Sequence, residues 1–280
     1  MKKILIVGSG SYIGESFAKY FQEKYPGQYL TETVGTLHEE WKTVSFAGYD
    51  AVFDVAGIAH QKETKENAPL YYAINRDLTV SVAQKAKEDG VKLFVYLSSM
   101  SVYGMAEGKI DASTKAAPTS NYGKSKLEAE EGLNRLATDD FKVCVLRPPM
   151  VYGAGCKGNF QTVISLVRRS PIFPKVNNQR SSIHVNNLCE EVKQIIDQGY
   201  CGYSFPQDSE YLSTTVMAQE IAETLGKKIR CSSLLGLCVR LMKPFSLTVR
   251  KAFGSLVYVK EMPNCNQEYK PTMIKDSVIK

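Results

Sequence analysis

Four short apolar runs occur in the first half of the chain, at residues 4–7, 51–55, 93–97 and 143–146. Their length is typical of buried strands, and the segments between them, notably 70–87 and 122–137, have the periodicity of helices. Strands that alternate with helices build a parallel sheet covered by helices on both faces. The pattern therefore predicts an α/β fold with a doubly wound parallel sheet.

The pattern changes after Gly153-Ala154-Gly155. Helical patterns follow at residues 160–169, 187–197 and 214–225, with one strand-like run at 201–205. We therefore predict a first domain at residues 1–154 and a small C-terminal lid domain at residues 155–280. Elements within residues 180–198 are expected to return to the first domain.

Residues 232–259 are apolar with scattered basic positions, including Arg240, Lys243, Arg250 and Lys251. One interpretation is an amphipathic helix that lies on a membrane surface. The sequence favours the other interpretation, a set of lid helices whose basic face is solvated. No apolar stretch reaches the ~18 residues expected of a membrane-spanning helix.

Composition and charge limit the classes of function. The chain of 280 residues is long enough to bury a sizeable core, with 44% hydrophobic and 23% charged residues. Lys and Arg number 35 against 29 Asp and Glu, and the resulting net charge of +6 suits an anionic ligand such as a nucleotide diphosphate. No basic run with interleaved aromatic residues occurs, so a nucleic acid partner is not expected.

The number and spacing of the cysteines indicate whether the protein resides in a reducing or an oxidising cellular compartment. The 7 cysteines are odd in number, form no C-x-x-C pair and fall in part within apolar strand or helix patterns. This predicts free buried thiols in a reducing compartment. The sequence enters a strand at once, so no signal peptide is expected. We therefore predict a cytoplasmic protein, without a metal site.

A glycine-rich turn follows the first apolar run, in Gly8-Ser9-Gly10-Ser11-Tyr12-Ile13-Gly14. A helical pattern through Phe17 and Phe21 begins directly after it. Strand, glycine turn and helix in this order are typical of a dinucleotide site. The glycines allow the backbone to approach a pyrophosphate, and the helix N-terminus favours its negative charge. The turn therefore predicts a Rossmann-type domain.

The segment Tyr122-Gly123-Lys124-Ser125-Lys126 places a phenol and an ammonium four residues apart, on one face of a predicted helix. An unperturbed tyrosine has a pKa of about 10, which is too high for a base at neutral pH. A neighbouring cation lowers that pKa because it favours the phenolate. The pair can therefore move a proton at a carbinol, the step that accompanies hydride transfer to a nicotinamide. Ser99 follows the run at 93–97, at a strand end where open parallel sheets bind ligands.

Together these segments resemble the extended short-chain dehydrogenase/reductase family, in its nucleotide-sugar epimerase and dehydratase group. The resemblance extends over most of residues 1–200. Further segments also match the family. They are the predicted strand that ends in Ala56-Gly57, Asn75 in Ala73-Ile74-Asn75-Arg76, and the segments at 98–104, 146–153 and 180–185.

The resemblance implies an NAD-dependent enzyme and assigns roles to individual residues. Ser99, Tyr122 and Lys126 match the family's catalytic residues, and Ser99 would also contact the substrate. Arg180 matches the arginine that binds the substrate diphosphate, whereas Asn159 either contacts uridine or phosphate or caps a helix. The implied cofactor-binding residues are Gly8, Gly10, Ser11, Tyr12, Ile13, Gly14, Ala56, Gly57, Asn75, Tyr122 and Lys126.

The residues before Val102-Tyr103-Gly104 narrow the reaction. Sugar 4,6-dehydratases of the family carry an adjacent Asp-Glu pair there, whereas this chain has Met100 and Ser101, so dehydration is disfavoured. We therefore predict a nucleotide-sugar 4-epimerase that acts on a UDP-sugar through a transient 4-keto intermediate. A nucleotide 4-ketosugar reductase that consumes NAD(P)H is the alternative. A catalytically silent NAD(P)-binding sensor module is the hypothesis from another class.

The choice of cofactor depends on the segment Leu30-Thr31-Glu32-Thr33-Val34-Gly35-Thr36, where the second strand of such a domain is expected to end. In the family an acidic residue there binds the adenosine ribose, but here Gly35 stands near the expected place and Glu32 lies earlier. No arginine follows that could hold a 2′-phosphate, so NAD is favoured while NADP stays open. The oligomeric state also stays open, a homodimer included.

Overall fold

The computed structural model describes residues 1–59, 61–265, 269 and 274–278 of the chain. The strands are β1 (Lys2–Val7), β2 (Tyr29–Val34), β3 (Ala51–Asp54), β4 (Leu93–Leu97), β5 (Gly108–Ile110), β6 (Lys142–Leu146), β7 (Met150–Tyr152), β8 (Ile172–Pro174), β9 (Ser182–His184), β10 (Gly202–Ser204), β11 (Arg230–Ser232) and β12 (Leu256–Tyr258). The helices are α1 (Tyr12–Lys24), α2 (Glu40–Thr43), α3 (Ala68–Tyr72), α4 (Thr79–Glu88), α5 (Asn121–Leu136), α6 (Asn159–Arg169), α7 (Val185–Gln198), α8 (Thr214–Thr224), α9 (Ser233–Met242) and α10 (Leu247–Phe253).

The central sheet has six parallel strands in the order β10-β6-β4-β3-β1-β2. From β1 the chain runs to β2 on one side, and then through β3, β4 and β6 on the other. The side on which the chain adds successive strands therefore changes between β1 and β3. The loops after these two strands lie at the same edge of the sheet. Open α/β sheets bind ligands at such a point. The predicted Rossmann-type α/β fold is therefore confirmed.

Helices cover both faces of this sheet. Successive residues of a strand point to opposite faces. Ile4 and Ile6 of β1 pack in a core with α1 and α7, whereas Leu5 and Val7 pack in a second core with α4 and α5. All four side chains are at most 1% exposed. Because both faces are buried, the strand is apolar throughout instead of alternating, and this explains the run in the sequence.

The helix predicted at 70–87 is continuous in the structure but not uniform. A π-helical segment, Ala73–Leu78, joins α3 to α4 and contains the buried Asn75. Widened turns of this kind are frequent at functional sites. The helix predicted at 122–137 is confirmed as α5, and the hydroxyl of Ser120 caps it by accepting from Gly123 N at 3.1 Å.

The C-terminal part of the chain contributes to the central sheet and also builds its own core. β10 pairs with β6, and α7 packs beside α1. α6 and α8 pack together in a separate core with Phe173 of β8. Parallel pairs join β7 to β9, β8 to β11, and β5 to β12. The boundary at residue 154 and the return of residues 180–198 stay predictions.

The cysteines are all free thiols. Cys144, Cys156 and Cys189 are buried as expected, whereas Cys201 and Cys238 are exposed. Within the described residues, no helix combines the length and the apolar character that crossing a bilayer requires.

Candidate active site

The residues singled out in the sequence gather at the carboxyl ends of three neighbouring strands. Gly8 follows β1, Ala56 lies two residues after β3, and Ser99 lies two residues after β4. α1 begins beside the first of these loops, and α5 carries Tyr122 and Lys126. The arrangement brings the glycine turn and the Ser-Tyr-Lys set to one edge of the sheet.

The glycine turn has three positions with different constraints. Gly8 has φ of +118°, and a Cβ there would lie 2.8 Å from Ala56 N, so the loops after β1 and β3 touch. A Cβ on Gly14 would lie 3.0 Å from methyl carbons of Ile6 and Val55, so α1 packs closely on the sheet. At Gly10, with φ of +75°, a Cβ would meet no atom within 4 Å. The open space at Gly10 beside the N-terminus of α1 fits the pyrophosphate of a dinucleotide.

The other residues of the turn orient α1. Ser11 is the N-cap, and its hydroxyl accepts from Gly14 N at 3.5 Å. Ile13 packs against the core on the first face of the sheet. Tyr12 reaches the second half of the chain, because a Cβ on Gly153 would lie 2.5 Å from the Tyr12 hydroxyl. Tyr12 therefore connects the glycine turn with the loop after β7.

Asn75 joins the loop after β3 to α5. Its Oδ1 accepts from Ile58 N at 2.8 Å, and its Nδ2 donates to Ile58 O at 3.1 Å and to Ser125 Oγ at 3.2 Å. A Cβ on Gly57 would lie 2.9 Å from Asn75 Oδ1 and 3.3 Å from Lys126 Nζ. Only glycine therefore fits between the asparagine and the lysine, and the Ala56-Gly57 loop lies directly beside Lys126.

Ser99 lies close enough to Tyr122 to act on its pKa. Ser99 caps a 3₁₀ turn, Met100–Tyr103, and its Oγ accepts from Ser101 N at 3.1 Å. Burial raises the pKa of Tyr122, and the hydrogen bond with Ser99 acts in the opposite direction. The sequence predicted that Lys126 would lower this pKa. In the structure the group that lowers it is Ser99, and the effect of Lys126 on Tyr122 stays a prediction.

Lys126 is buried with its charge facing Asp54. Its Nζ donates to Leu97 O at 2.9 Å and lies 4.7 Å from the centroid of the Tyr96 ring. Burial lowers the pKa of Lys126 to about 8, and the Asp54 carboxylate opposes that shift. Burial likewise raises the pKa of Asp54 to about 6, which Lys126 opposes. Each group therefore stabilises the charged form of the other in a buried site.

The sequence analysis missed Asp54 and Glu63. Asp54 lies within an apolar strand, and this mismatch is the one signal that could have found it. Glu63 caps α5 from outside the helix, because its carboxylate accepts from Asn121 N at 2.9 Å and from Tyr122 N at 3.1 Å. A carboxylate at a helix N-terminus stabilises the helix and holds its first turn.

The sequence analysis also missed Glu40. Its carboxylate lies near the end of β2, where an acidic residue that binds the adenosine ribose was expected. Gly35 follows β2, and a Cβ there would lie 2.0 Å from Glu40 Oε2 and 3.1 Å from Ser9 Oγ. Glu40 at the start of α2 thus brings its carboxylate between the end of β2 and the glycine turn. Glu32 instead accepts from the Tyr49 hydroxyl. No sequence spacing indicated Glu40, because α2 must first fold back on β2.

The two expected substrate residues lie apart from this cluster. Arg180 is half-buried, donates from Nη1 to Gly254 O at 2.9 Å, and pairs through its backbone with Leu212 and Leu256. Burial lowers the pKa of Arg180. Asn159 is exposed in the first turn of α6, and Gly158 occupies the cap position that Asn159 was weighed for. The roles of Arg180 and Asn159 stay predictions.

The arrangement can move a proton between a ligand oxygen and Tyr122. A serine hydroxyl and a phenol that lie beside each other can both contact one oxygen of a ligand. Met100 and Ser101 stand at the positions where dehydratases carry an acidic pair, and neither side chain has a carboxylate. The site is therefore suited to proton transfer at a single carbinol or ketone.

Comparisons with known proteins agree with this geometry. Residues 4–203 match the model of the NAD dependent epimerase/dehydratase family. A UDP-glucose 4-epimerase of Vibrio cholerae is 30% identical over 253 residues, which cover 81% of this chain and 76% of the relative. An N-acetyl-α-D-glucosaminyl-diphospho-ditrans,octacis-undecaprenol 4-epimerase of Escherichia coli O157:H7 is 24% identical, covering 81% and 73%. The UDP-glucuronic acid 4-epimerase of Bacillus cereus, solved with NAD, superposes with a TM-score of 0.74 at 16% identity, covering 98% and 94%.

The chain belongs to the NAD-dependent epimerase/dehydratase family. The resemblance to extended short-chain dehydrogenases/reductases, the enzyme class and the nicotinamide cofactor NAD are thereby confirmed.

The geometry of the glycine turn makes a specific prediction for Gly10. Gly10→Ala should fold, because its Cβ meets no atom, with a loss of about 1–2 kcal/mol for a left-handed backbone. The methyl group would occupy the space open to the pyrophosphate. We expect NAD affinity, measured by calorimetry, to fall by about tenfold or more, which corresponds to 1.4 kcal/mol.

Gly27→Ala is the matched control. Gly27 has φ of +74°, and a Cβ there also meets no atom within 4 Å. Gly27→Ala should lose similar stability and keep the NAD affinity of the parent. Equal NAD affinity in the two variants would contradict the placement of the pyrophosphate at Gly10.

Proposed function

We propose that this enzyme is a nucleotide-sugar 4-epimerase that uses NAD and acts on a UDP-sugar through a transient 4-keto intermediate. The observation that carries the proposal is the placement of Ser99 after β4, and of Tyr122 and the buried Lys126 on α5, at the edge of the sheet where the glycine turn lies. Ser99 also lowers the pKa of Tyr122. The 4-epimerase relatives support the same reaction.

Tyr122 is the proposed proton carrier. It would accept the proton of the C4 hydroxyl when the 4-keto sugar forms, and return it when the hydroxyl forms again on the other face. Burial raises the pKa of Tyr122, whereas acceptance of the C4 proton requires the phenolate, so a partner must lower that pKa. Ser99 already does so through its hydrogen bond, and it would also orient the C4 oxygen.

Lys126 would supply positive charge close to Tyr122 and bind the nicotinamide ribose together with it. Its pKa near 8 would leave it mostly protonated at neutral pH, and Asp54 keeps it so. Gly8, Gly10, Ser11, Tyr12, Ile13 and Gly14 would hold the pyrophosphate, with Ala56, Gly57 and Asn75 beneath the cofactor. When bound, NAD supplies the acceptor and donor of hydride at C4.

Arg180 is the proposed partner of the substrate diphosphate. A guanidinium binds phosphate oxygens in bidentate fashion. Leu256, which pairs with Arg180, packs in one cluster with Met100 and Tyr103 of the turn after Ser99. Arg180 is thereby connected to the catalytic side of the sheet. Asn159 in the first turn of α6 is the second proposed substrate contact.

We further propose that Glu40 selects NAD over NADP. Its carboxylate beside Gly35 and Ser9 would accept hydrogen bonds from the adenosine ribose hydroxyls. The same negative charge would repel the 2′-phosphate of NADP. Glu40 thus replaces the acid that the sequence lacks at Gly35, and Gly35 leaves room for it.

Calorimetric titration of Glu40→Gln with NAD and with NADP tests this role. Loss of a charged hydrogen-bond acceptor should weaken NAD binding by roughly 10- to 150-fold, equivalent to about 1.5–3 kcal/mol. NADP affinity should stay constant or rise, because a repulsive charge is gone.

Two neighbouring carboxylates provide controls. Glu39→Gln removes the charge of the adjacent residue, which pairs with Lys42 at 2.5 Å, and should not change NAD affinity. Loss of NAD affinity in Glu32→Gln but not in Glu40→Gln would assign the ribose to Glu32 and refute the proposal.

A direct assay separates the epimerase from the alternatives. Protein with bound NAD is incubated with UDP-glucose, UDP-galactose or UDP-N-acetylglucosamine, and the sugars are separated by chromatography. Interconversion of C4 epimers without net use of NAD(H) is the expected result. Tyr122→Phe should lower turnover by at least ~10²-fold because it removes the proton carrier. NAD affinity should persist, because the ring remains.

Tyr25→Phe, at the far end of α1, is the control for loss of a tyrosine hydroxyl. Near-normal turnover in Tyr122→Phe would refute the role of Tyr122. Reduction of a nucleotide 4-ketosugar with stoichiometric use of NAD(P)H, and no epimerisation, would identify the reductase. NAD binding without either reaction would identify the sensor module.

A further inference from the structure

One surface of the C-terminal region concentrates exposed apolar side chains within a short stretch of the chain. It consists of α9, the 3₁₀ turn Lys243–Phe245 and α10, and is called here the α9–α10 surface. Leu234 is 71% exposed, Leu241 63% and Phe245 91%. Exposed apolar surface that is contiguous marks a site of interaction with a partner or a membrane.

The orientation of α9 is fixed by its one buried residue. A Cβ on Gly236 would lie 2.1 Å from Lys175 O, so this side of the helix is pressed against the chain beside β8. Leu234, Leu237 and Leu241 have the spacing i, i+3 and i+7, which places them together on the opposite side. The apolar side of α9 therefore faces outward, in contrast to the amphipathic helices that cover the central sheet.

The charges that α9, the 3₁₀ turn and α10 themselves contribute all have one sign. Arg240, Lys243, Arg250 and Lys251 lie on its helices and turn, and no Asp or Glu occurs between Thr224 and Lys260. Lys243 pairs with Glu107 from the loop before β5. Arg240, Arg250 and Lys251 therefore have no acidic neighbour within this stretch of sequence. The surface thus combines outward apolar side chains with an excess of positive charge.

This combination fits an anionic lipid interface. Helices that lie on membranes insert apolar side chains at the acyl boundary while Lys and Arg contact anionic headgroups. A second copy of this chain would bring the same positive charges to the contact, and like charges across an interface oppose association. α9 and α10 have 10 and 7 residues, whereas a spanning helix needs about 20.

We propose that the α9–α10 surface docks this enzyme on membranes that carry anionic lipids. The sequence favoured lid helices with a solvated basic face. The structure shows that the apolar side of α9 faces outward as well, which reverses that preference. The proposal does not depend on the substrate or on the reaction.

Vesicle flotation on a density gradient tests the proposal with the full chain. One set of vesicles contains phosphatidylcholine alone, and the other contains phosphatidylcholine and phosphatidylglycerol in equal amounts. We expect flotation with the anionic vesicles only, weakened by salt. Arg240→Gln with Lys251→Gln should lower vesicle affinity roughly 30-fold, since each basic residue near the surface contributes about a fivefold factor.

The second part of the flotation test removes exposed apolar side chains of the α9–α10 surface. Leu241→Gln with Phe245→Gln should abolish flotation without loss of helicity or melting temperature, because both side chains are exposed. Leu37→Gln is the control, since Leu37 is 88% exposed elsewhere on the chain. Absence of flotation with anionic vesicles, or flotation unchanged in these variants, would overturn the proposal. The alternative outcome is a parent protein that fails to float and self-associates in light scattering. If Leu241→Gln with Phe245→Gln then abolished that self-association, the surface would be assigned to a second copy.

Discussion

The buried ion pair between Glu130 and Arg147 is the constraint on which the catalytic edge of the sheet depends. Arg147 Nε lies 3.1 and 3.2 Å from the two carboxylate oxygens of Glu130, and the side chains are 10% and 1% exposed. Ser98 donates its hydroxyl to the same carboxylate, and Arg147 Nη1 donates to the Tyr103 hydroxyl at 3.0 Å. One pair thereby fastens α5, the end of β4 and the end of β6 to each other.

This pair determines where the proposed catalytic groups lie. Ser98 precedes Ser99, and Glu130 lies one helical turn beyond Lys126 on α5, so the pair sets the distance between the strand end and the helix. Removal of one partner would leave an uncompensated buried charge, at a cost of about 3–5 kcal/mol. The aromatic ring of Tyr203, 4.5 Å from the guanidinium carbon, adds a further favourable contact. The network therefore holds the Ser99–Tyr122 contact before any ligand binds.

The sequence was informative where structure is local. The apolar runs predicted β1, β3, β4 and β6 because both faces of the sheet are buried at these strands, and the glycine turn predicted the start of α1. The edge strand β2 is more polar and had no such run. Asp54, Glu63 and Glu40 could not be predicted, because each acts on a residue that only the tertiary fold brings near. The outward side of α9 was equally hidden, since periodicity identifies an apolar side but not what that side faces.

The most direct test of the account follows hydrogen at carbon during epimerisation of a UDP-sugar in D₂O. If Tyr122 exchanges only the hydroxyl proton and the hydrogen of C4 is returned to the same carbon, the product should carry no deuterium on its ring carbons, by NMR and mass spectrometry. Deuterium at C5 would show removal of a carbon-bound proton by a base, and deuterium at C4 would show exchange with solvent. Either result would contradict the proposed reaction at this site.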